Sequence, residues 1–537
     1  MKLSTKILKC LTISVLFISS ICIGQTKKQP PNVIFVIIDD LGSAWLPPYA
    51  INLKASDVEN DIINEYKKKQ NVNAEFSIEK HLEAARSSMP FLDKLSAQGV
   101  KFNRCFTSSA LCAPFRAAMM TGKYSQSWGA YTIPEIEESG IPTNILTLPT
   151  IFQKSGYNTG IIGKWHVAPH DNRLKKGADI DHYKSSSAPG YHPLDRGFNY
   201  YYGYNSSNST YLASKDIWEG REPVPAFTNK DFLTDILNGK AKEFMQKSID
   251  EKKPFFLYYA PMTVHGNLTP CPAKYSDKFK SGVTATNNFA GHLLALDEGI
   301  KEMYNVLEKA GQADNTLFIL CSDNGAVFPV PPYNAPFKGG KATGWLGGSN
   351  SPLIMVMPGK TKTMYTDELV SCMDILPTAL DAAGLKVPEG LDGVSLKKLI
   401  FEGKQSKPHQ TIFSSGLHSA RWSYSYYDET QKKNMDNANC PVYVWGLNDN
   451  YFSLHLTKVS SGIYEKLPDG KSSQNILFNY VKDPLNKTML KAENSEQKIL
   501  RAKTKEWLQK QKDPLRDRKK EHYELIEQLN SDYKADK

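Results

Sequence analysis

The chain has 537 residues, 40% hydrophobic and 11% aromatic, which excludes a disordered polymer and is too long for one compact core, so two domains are expected. The formal net charge of +10 is a mild positive excess. It suits a polyanionic substrate, is also common on solvated surfaces, and does not call for a nucleic acid partner.

Residues 1–24 read as a secretory signal. Lys2, Lys6 and Lys9 precede an apolar stretch from Leu11 to Ile23, and Cys22-Ile23-Gly24 offers small residues for cleavage before Gln25. That stretch is too short to span a bilayer comfortably, and no other long apolar run follows, so no stable membrane span is expected. A lipoprotein anchor at Cys22 fits less well, because Ile21 is large where a small residue is preferred. The expectation is export, to the periplasm or beyond. Removing three lysines with the signal leaves a mature charge of about +7. Of the eight cysteines, Cys10 and Cys22 fall in the signal; Cys105, Cys112, Cys271, Cys321, Cys372 and Cys440 are scattered, without zinc-ligand spacing or a visible disulfide framework.

Asn32–Ile38 is a continuous β-branched run, typical of a strand buried on both faces in a parallel sheet, and Asp39-Asp40 follows directly. Residues 43–87 are charged and lysine-rich and read as an insertion of helices and loop above that sheet edge. Ser88–Leu95 begins an amphipathic helix ending at Gly99, and another helix is expected from Ala290 to Ala310, before Gly311. Tyr157–Ile162 is a strand ending before Gly163-Lys164-Trp165-His166; Pro254–Ala260 is another, ending before His265; Thr316–Ser322 is a fourth, ending at Asp323-Asn324-Gly325. Ligand sites in open α/β sheets lie beyond the carboxyl ends of the strands, so four strand ends deliver polar groups to what can be one place. Residues 403–480 alternate aromatic and polar character, suggesting a smaller antiparallel sheet. Residues 491–537 hold 13 Lys/Arg and 10 Asp/Glu and read as an exposed charged helix or loose tail.

The most informative segment is Leu111-Cys112-Ala113-Pro114-Phe115-Arg116, continued by Ala117-Ala118-Met119-Met120-Thr121-Gly122-Lys123. Cysteine two residues before proline and four before arginine resembles the signature of the type I sulfatases, in which the thiol is oxidised to formylglycine (3-oxoalanine). Gly163-Lys164-Trp165-His166, Lys338-Gly339-Gly340-Lys341-Ala342-Thr343, Asp374–Leu380, Gly390-Leu391-Asp392-Gly393 and Asp483-Pro484 are similar to that family too. The resemblance covers residues 30 to 490. It implies an alkaline-phosphatase-like α/β fold: a large N-terminal domain over 25–402 with a mostly parallel sheet sandwiched by helices, a smaller α+β subdomain over 403–490 with an antiparallel sheet, and a tail over 491–537.

The resemblance also implies roles. Asp39, Asp40, Asp323, Asn324 and the oxygen made from Cys112 would hold one divalent ion; a set of hard oxygen donors favours Ca2+, with Mg2+ the lesser choice. Arg116, Lys123, Lys164, His166, His265 and Lys341 would form the catalytic set, with Lys341 preferred to Lys338 from the G-K-x-T spacing. A separate maturation enzyme would be a required partner. The substrate expected is a sulfated carbohydrate, an algal polysaccharide such as ulvan or carrageenan, or alternatively a glycosaminoglycan. A phosphate or phosphonate ester hydrolase is the competing enzyme reading, and a carbohydrate-binding protein without chemistry the competing non-enzyme reading. The chain departs from the family's Glu-Gly-Gly-x-Arg at Leu346-Gly347-Gly348-Ser349-Asn350 and in the 43–87 insertion, both near the expected substrate site.

Overall fold

The computed structural model describes residues 29–72, 76–175, 180–265, 268, 270–417, 442–457, 475–490, 494–515 and 519–534, with two short strands at 427–428 and 433–434. The expected signal over 1–24, Cys10, Cys22 and Cys440 lie outside them. Among the described residues no helix is long and apolar enough to cross a membrane.

The main sheet has ten strands: β1 (Asn32–Ile38), β2 (Val100–Phe102), β3 (Asn158–Lys164), β4 (Tyr200–Tyr204), β5 (Trp218–Glu219), β6 (Glu222–Pro223), β7 (Phe255–Ala260), β8 (Thr316–Ser322), β9 (Leu353–Val356) and β10 (Met364–Thr366). Their order is β10-β2-β9-β8-β1-β7-β3-β4-β5-β6. The central run β8-β1-β7-β3-β4 is parallel throughout, while β9 joins it antiparallel at one side and β5 at the other. All four strands expected from the sequence are in this run.

β1 shows why the run forms. Alternate residues serve opposite layers: Val33, Phe35 and Ile37 pack with the helices Cys112–Thr121, Leu148–Lys154 and Ile375–Ala382, whereas Ile34, Val36 and Ile38 pack with Pro90–Ser96, Leu233–Asp250 and Thr284–Lys309. A strand covered on both faces has no polar side to show, so its sequence is apolar from Val33 to Ile38. The segment after β1 is helical over Asn60–Gln70 and Ile78–Ser87. It docks on the Thr284–Lys309 helix, where the Tyr66 hydroxyl and Thr286 Oγ1 lie 2.6 Å apart, and Ile62 joins Ala326 and Tyr333 beyond the end of β8.

The second sheet is antiparallel, in the order β11 (Ile412–Leu417), β12 (Val442–Leu447), β13 (Phe452–Leu456), β14 (Asn475–Phe478). In the charged C-terminal segment, Ser495–Lys510 and Lys519–Lys534 are helices, and neither is exposed on all sides. Helix Ser495–Lys510 lies on β12 so closely that a Cβ at Gly446 would meet Thr504 Oγ1 at 2.1 Å. Trp507 stacks on Phe413 with ring centroids 5.3 Å apart, and Leu525 and Leu529 of the last helix are buried in the main core. The charge density hides an apolar stripe at helical spacing.

Candidate active site

The ends of β1, β3, β7 and β8 converge. Backbone pairing continues past two of them: Asp39 N donates to Thr263 O at 2.6 Å and Val264 N to Asp39 O at 2.8 Å, which brings His265 beside Asp40. Asp40 N donates to Asp323 Oδ1 at 3.0 Å and Leu41 N to Ser322 Oγ at 3.0 Å, so the β1 and β8 loops lock together. Gly325 is required there, because a Cβ on it would meet Gly347 O at 1.8 Å. Asp40 and His166 hold left-handed φ of 59° and 54°, conformations that cost energy outside glycine and gather at sites where geometry is imposed.

Cys112 opens the Cys112–Thr121 helix and is fully buried. The C-x-P-x-R spacing now has a physical reading. Pro114 falls in the first turn, where a missing N–H costs nothing, and Arg116 is one turn on, on the same face as Cys112. The Arg116 guanidinium, also fully buried, donates from Nη2 to Asp323 Oδ2 at 2.8 Å and from Nη1 to Lys164 O and the Tyr258 hydroxyl, both at 3.2 Å, and it lies 3.5 Å from Asp39 Oδ2. Lys164 Nζ donates to Asp39 Oδ2 at 2.9 Å. Lys341 Nζ and Asn324 Nδ2 both donate to Asp40 Oδ1, at 2.6 and 2.7 Å.

Three buried oxygens of this cluster, Asp39 Oδ1, Asp40 Oδ2 and Asn324 Oδ1, accept no hydrogen bond from the protein. Donor atoms of Asp39, Asp40 and His265 lie within 4.8 Å of one another. Three uncommitted hard oxygens in a buried acidic pocket fit a divalent cation of the calcium or magnesium kind. The arrangement can therefore hold a metal ion.

The charges also tune one another. Burial alone would raise the Asp40 carboxyl, but Lys341, His265 and Lys164 outweigh it and hold it below its usual range. At Asp323, burial and the like charge of Asp39 win over Arg116 and Lys164 and push it up. Burial of the Cys112 thiol is outweighed by Lys164, Lys341 and His166, which favour thiolate. Burial lowers His265 strongly, with Lys341 and Lys164 adding to it against Asp40. His166 sits against Cys112 and is raised despite burial, through Cys112 and Glu137.

The structure brings together Asp39, Asp40, Cys112, Arg116, Lys164, His166, His265, Asp323, Asn324 and Lys341. It does not bring Lys123 to them. A ten-residue helix rising 1.5 Å per residue puts Lys123 about 15 Å beyond Cys112. There its Nζ donates to Gly390 O, and Asp392 and Gly393 donate to Gly122 O. The family-like Gly390–Gly393 segment thus clamps the far end of the helix. Of the two candidate lysines, Lys341 reaches Asp40, while Lys338 Nζ lies over the Trp345 ring, 4.0 Å from its centroid. Asn350, in the Leu346–Asn350 segment, is buried and accepts from Ser43 Oγ at 2.9 Å.

Three residues at the site escape sequence reasoning. Glu137, on the helix Ile133–Ser139, places Oε1 3.3 Å from His166 Nε2. Tyr258 supports Arg116, and Tyr443 of β12 accepts from Ala110 N at 3.3 Å, which ties the second sheet to the Cys112 loop. Glu137 lies in a stretch with no motif; Tyr258 and Tyr443 look like ordinary strand aromatics, and only the fold gives their hydroxyls a target.

The sulfatase family profile matches residues 31–385 of this chain. The chain is a sulfatase. A second profile, described as N-sulphoglucosamine sulphohydrolase, C-terminal, matches residues 347–513 of the sulfatase. YdeN, a sulfatase of Escherichia coli K12, is 33% identical to it over 438 residues, 79% of this chain and 72% of YdeN. Human N-acetylgalactosamine-6-sulfatase is 27% identical over 406 residues, 70% of this chain and 67% of the human protein. The structure of Ps i-CgsB with k-i-k-neocarrahexaose superposes with a TM-score of 0.69 at 22% identity, over 94% of this chain and 99% of that one. The sulfatase yidJ of Bacteroides fragilis superposes at 0.64 with 18% identity, over the same shares of the two chains. These neighbours share the alkaline-phosphatase-like fold, and the family makes this sulfatase a sulfuric ester hydrolase.

Proposed function

We propose that the protein is an exported sulfatase that removes sulfate esters from a sulfated carbohydrate, with Cys112 matured to formylglycine. The observation that carries this is the surrounding of Cys112: one buried residue at a helix N-terminus, faced by Lys164, Lys341, His166 and Arg116 and set against an acidic cluster that fits a cation. Export rests on residues 1–24 of the sequence. An algal polysaccharide of the carrageenan or ulvan kind is the substrate we favour, supported by the neocarrahexaose bound to Ps i-CgsB. A glycosaminoglycan is the second reading, supported by N-acetylgalactosamine-6-sulfatase among the relatives.

Asp39, Asp40, Asp323 and Asn324, with the oxygen at residue 112, would hold a Ca2+ ion, which when bound supplies positive charge to the sulfuryl oxygens. Hydrated formylglycine would supply two hydroxyls: one attacks sulfur, passing its proton to the neighbouring Asp323 carboxylate as the bond from sulfur to the sugar oxygen breaks, and the other releases sulfate and restores the aldehyde. Lys164 and Lys341 present fixed cations where charge spreads on the sulfuryl group, in a buried pocket where such cations act strongly. Arg116 holds Asp39 and Asp323 in place and faces residue 112 from one turn away. His265, with Lys341 beside it, gives the proton to the leaving alcohol; the negative sulfuryl group opposes the burial and lysine charges that otherwise keep His265 neutral. His166 takes the proton from the second hydroxyl, and Glu137 holds its ring.

Two measurements test the reading. Mass spectrometry of the residue-112 peptide from a host with the maturation enzyme is expected to show formylglycine, and an unmodified cysteine in active protein would sink the mechanism. Sulfate release is expected from at least one of a panel of carrageenan, ulvan and chondroitin oligosaccharides. Activity confined to phosphate esters would overturn the assignment.

A further inference from the structure

Outside the site, a cavity of about 200 Å³ lies between the chain segment that follows β3 and the sheet edge. Asp171, Arg173, Ser187, Tyr201, Trp218 and Arg221 contribute to its wall. Tyr201 and Trp218 pack on the same face of the sheet as the Cys112–Thr121 helix. Trp218 is two strands outward in the register of Gly163, and Tyr201 is one strand outward in the register of Ile161, three residues back from Lys164. At about 4.8 Å per strand and about 3.3 Å per residue, each lies about 10 Å from Lys164, back from the strand ends on the face of the sheet.

Its chemistry is polar but electrically balanced. Arg173 is tied to Asp171, with Nη2 to Oδ2 at 2.6 Å, and Arg221 to Asp195 at 2.5 Å; both arginine side chains are half or more exposed, 74% and 52%. His192 is kept neutral, lowered to about 4 by burial and by Arg221. Two wall hydroxyls, Tyr201 Oη and Ser187 Oγ, are buried without a hydrogen-bond partner, in residues only 1% and 9% exposed. Buried hydroxyls of this kind call for a polar occupant. Paired arginines and carboxylates offer donors and acceptors together, which suits alcohol groups and gives a lone anion no net attraction. The Trp218 indole closes one side with an apolar surface, as pyranose rings need.

We infer that this cavity binds an unsulfated sugar unit of the same chain whose sulfate ester occupies the Cys112 site. The inference rests on the carbohydrate reading above. It makes the enzyme selective for oligosaccharides over monosaccharides, because only a longer ligand reaches both places.

The test uses the full-length matured enzyme with Arg173→Ala/Arg221→Ala and, separately, Tyr201→Phe. Substrates are the panel oligosaccharide desulfated fastest and 4-nitrophenyl sulfate. The double variant is expected to raise KM for the oligosaccharide about tenfold, the loss of hydrogen bonds to charged groups, with kcat and the 4-nitrophenyl sulfate constants within about twofold of wild type. Tyr201→Phe, which deletes only the hydroxyl, is expected to move the same KM in the same direction by less. An unchanged oligosaccharide KM, or a parallel loss on both substrates, would overturn the inference. Calorimetric titration of that same oligosaccharide after chemical desulfation decides it independently of turnover. Binding to wild type that is lost in the double variant supports the cavity, and no binding, or equal binding to both, refutes it. Failure of sulfate release across the panel instead refutes the functional reading alone.

Discussion

Glu137→Gln isolates one charge at the site. In the folded protein Glu137 Oε1 is 3.3 Å from His166 Nε2, the His166 side chain is fully buried and that of Glu137 is 30% exposed. The substitution keeps the side-chain length and a hydrogen-bonding group but removes the anion that favours a protonated ring and fixes which nitrogen faces residue 112. A hydrogen bond to a charged group contributes about 1.5–3 kcal/mol, and the partial exposure of Glu137 places it toward the lower end. Slowing the proton transfer assigned to His166 by that amount lowers kcat about tenfold, and Glu137→Ala somewhat more. Steady-state kinetics should show the loss in kcat with KM unchanged or lower. Because the step assigned to His166 releases sulfate, quenched samples of the variant should also carry one extra sulfuryl group on the residue-112 peptide. A normal kcat in Glu137→Gln, or a loss that falls on KM without that added mass, refutes the pairing as a functional one.

Lys123→Ala is expected to retain activity within about twofold, whereas Lys164→Ala, which strips a buried cation from Asp39, should lose at least a hundredfold in kcat/KM. Removing divalent cations by chelation should lower the melting temperature and Ca2+ should restore it, since an ion held by Asp39, Asp40 and Asn324 in the folded state alone stabilises by about 2.7 kcal/mol at a hundred times its Kd; no thermal shift with Ca2+ or Mg2+ would count against the cation site. Asp297 accepts from Phe91 N and Leu92 N at 2.8 Å, and burial raises it to about 6. Its folded pKa lies above its unfolded value, so its contribution is complete below about pH 4 and is lost as pH rises through about 6, a change of up to about 3 kcal/mol. Denaturant titrations at pH 4 to 7 should show that slope, and Asp297→Asn should flatten it.

The parallel run was legible because buried strands carry a continuous apolar signature: Val33–Ile38, Phe255–Ala260 and Leu317–Cys321 are apolar throughout, and the polar residues that follow each one mark the functional edge. Cys112, Arg116, Lys164, His166 and Lys341 were legible because each sits in a motif whose spacing is itself a piece of geometry. Lys123 belongs to the same motif in sequence and to a different place in space, since a helix carries its two ends apart. The docked tail was hidden because Leu500, Trp507, Leu525 and Leu529 are few among many charges. Glu137 and the Tyr201 cavity were not legible at all: each depends on which chain segments the fold stacks side by side.

The enclosure of Cys112 sets an order of events. The residue is fully buried, and its loop is pinned from outside by Tyr443 of the second sheet and by Gln126, whose Nε2 donates to both Ser108 O and Ser415 O. Under the maturation proposed for Cys112, an enzyme that rewrites the thiol would have to reach it before this enclosure closes, so maturation would race folding. The gate is shut by strands that come some 300 residues later in the chain, β11 and β12, so the cysteine stays within reach for most of synthesis. On that proposal, a chain that reaches the native state too early would be stable, correctly shaped and permanently silent.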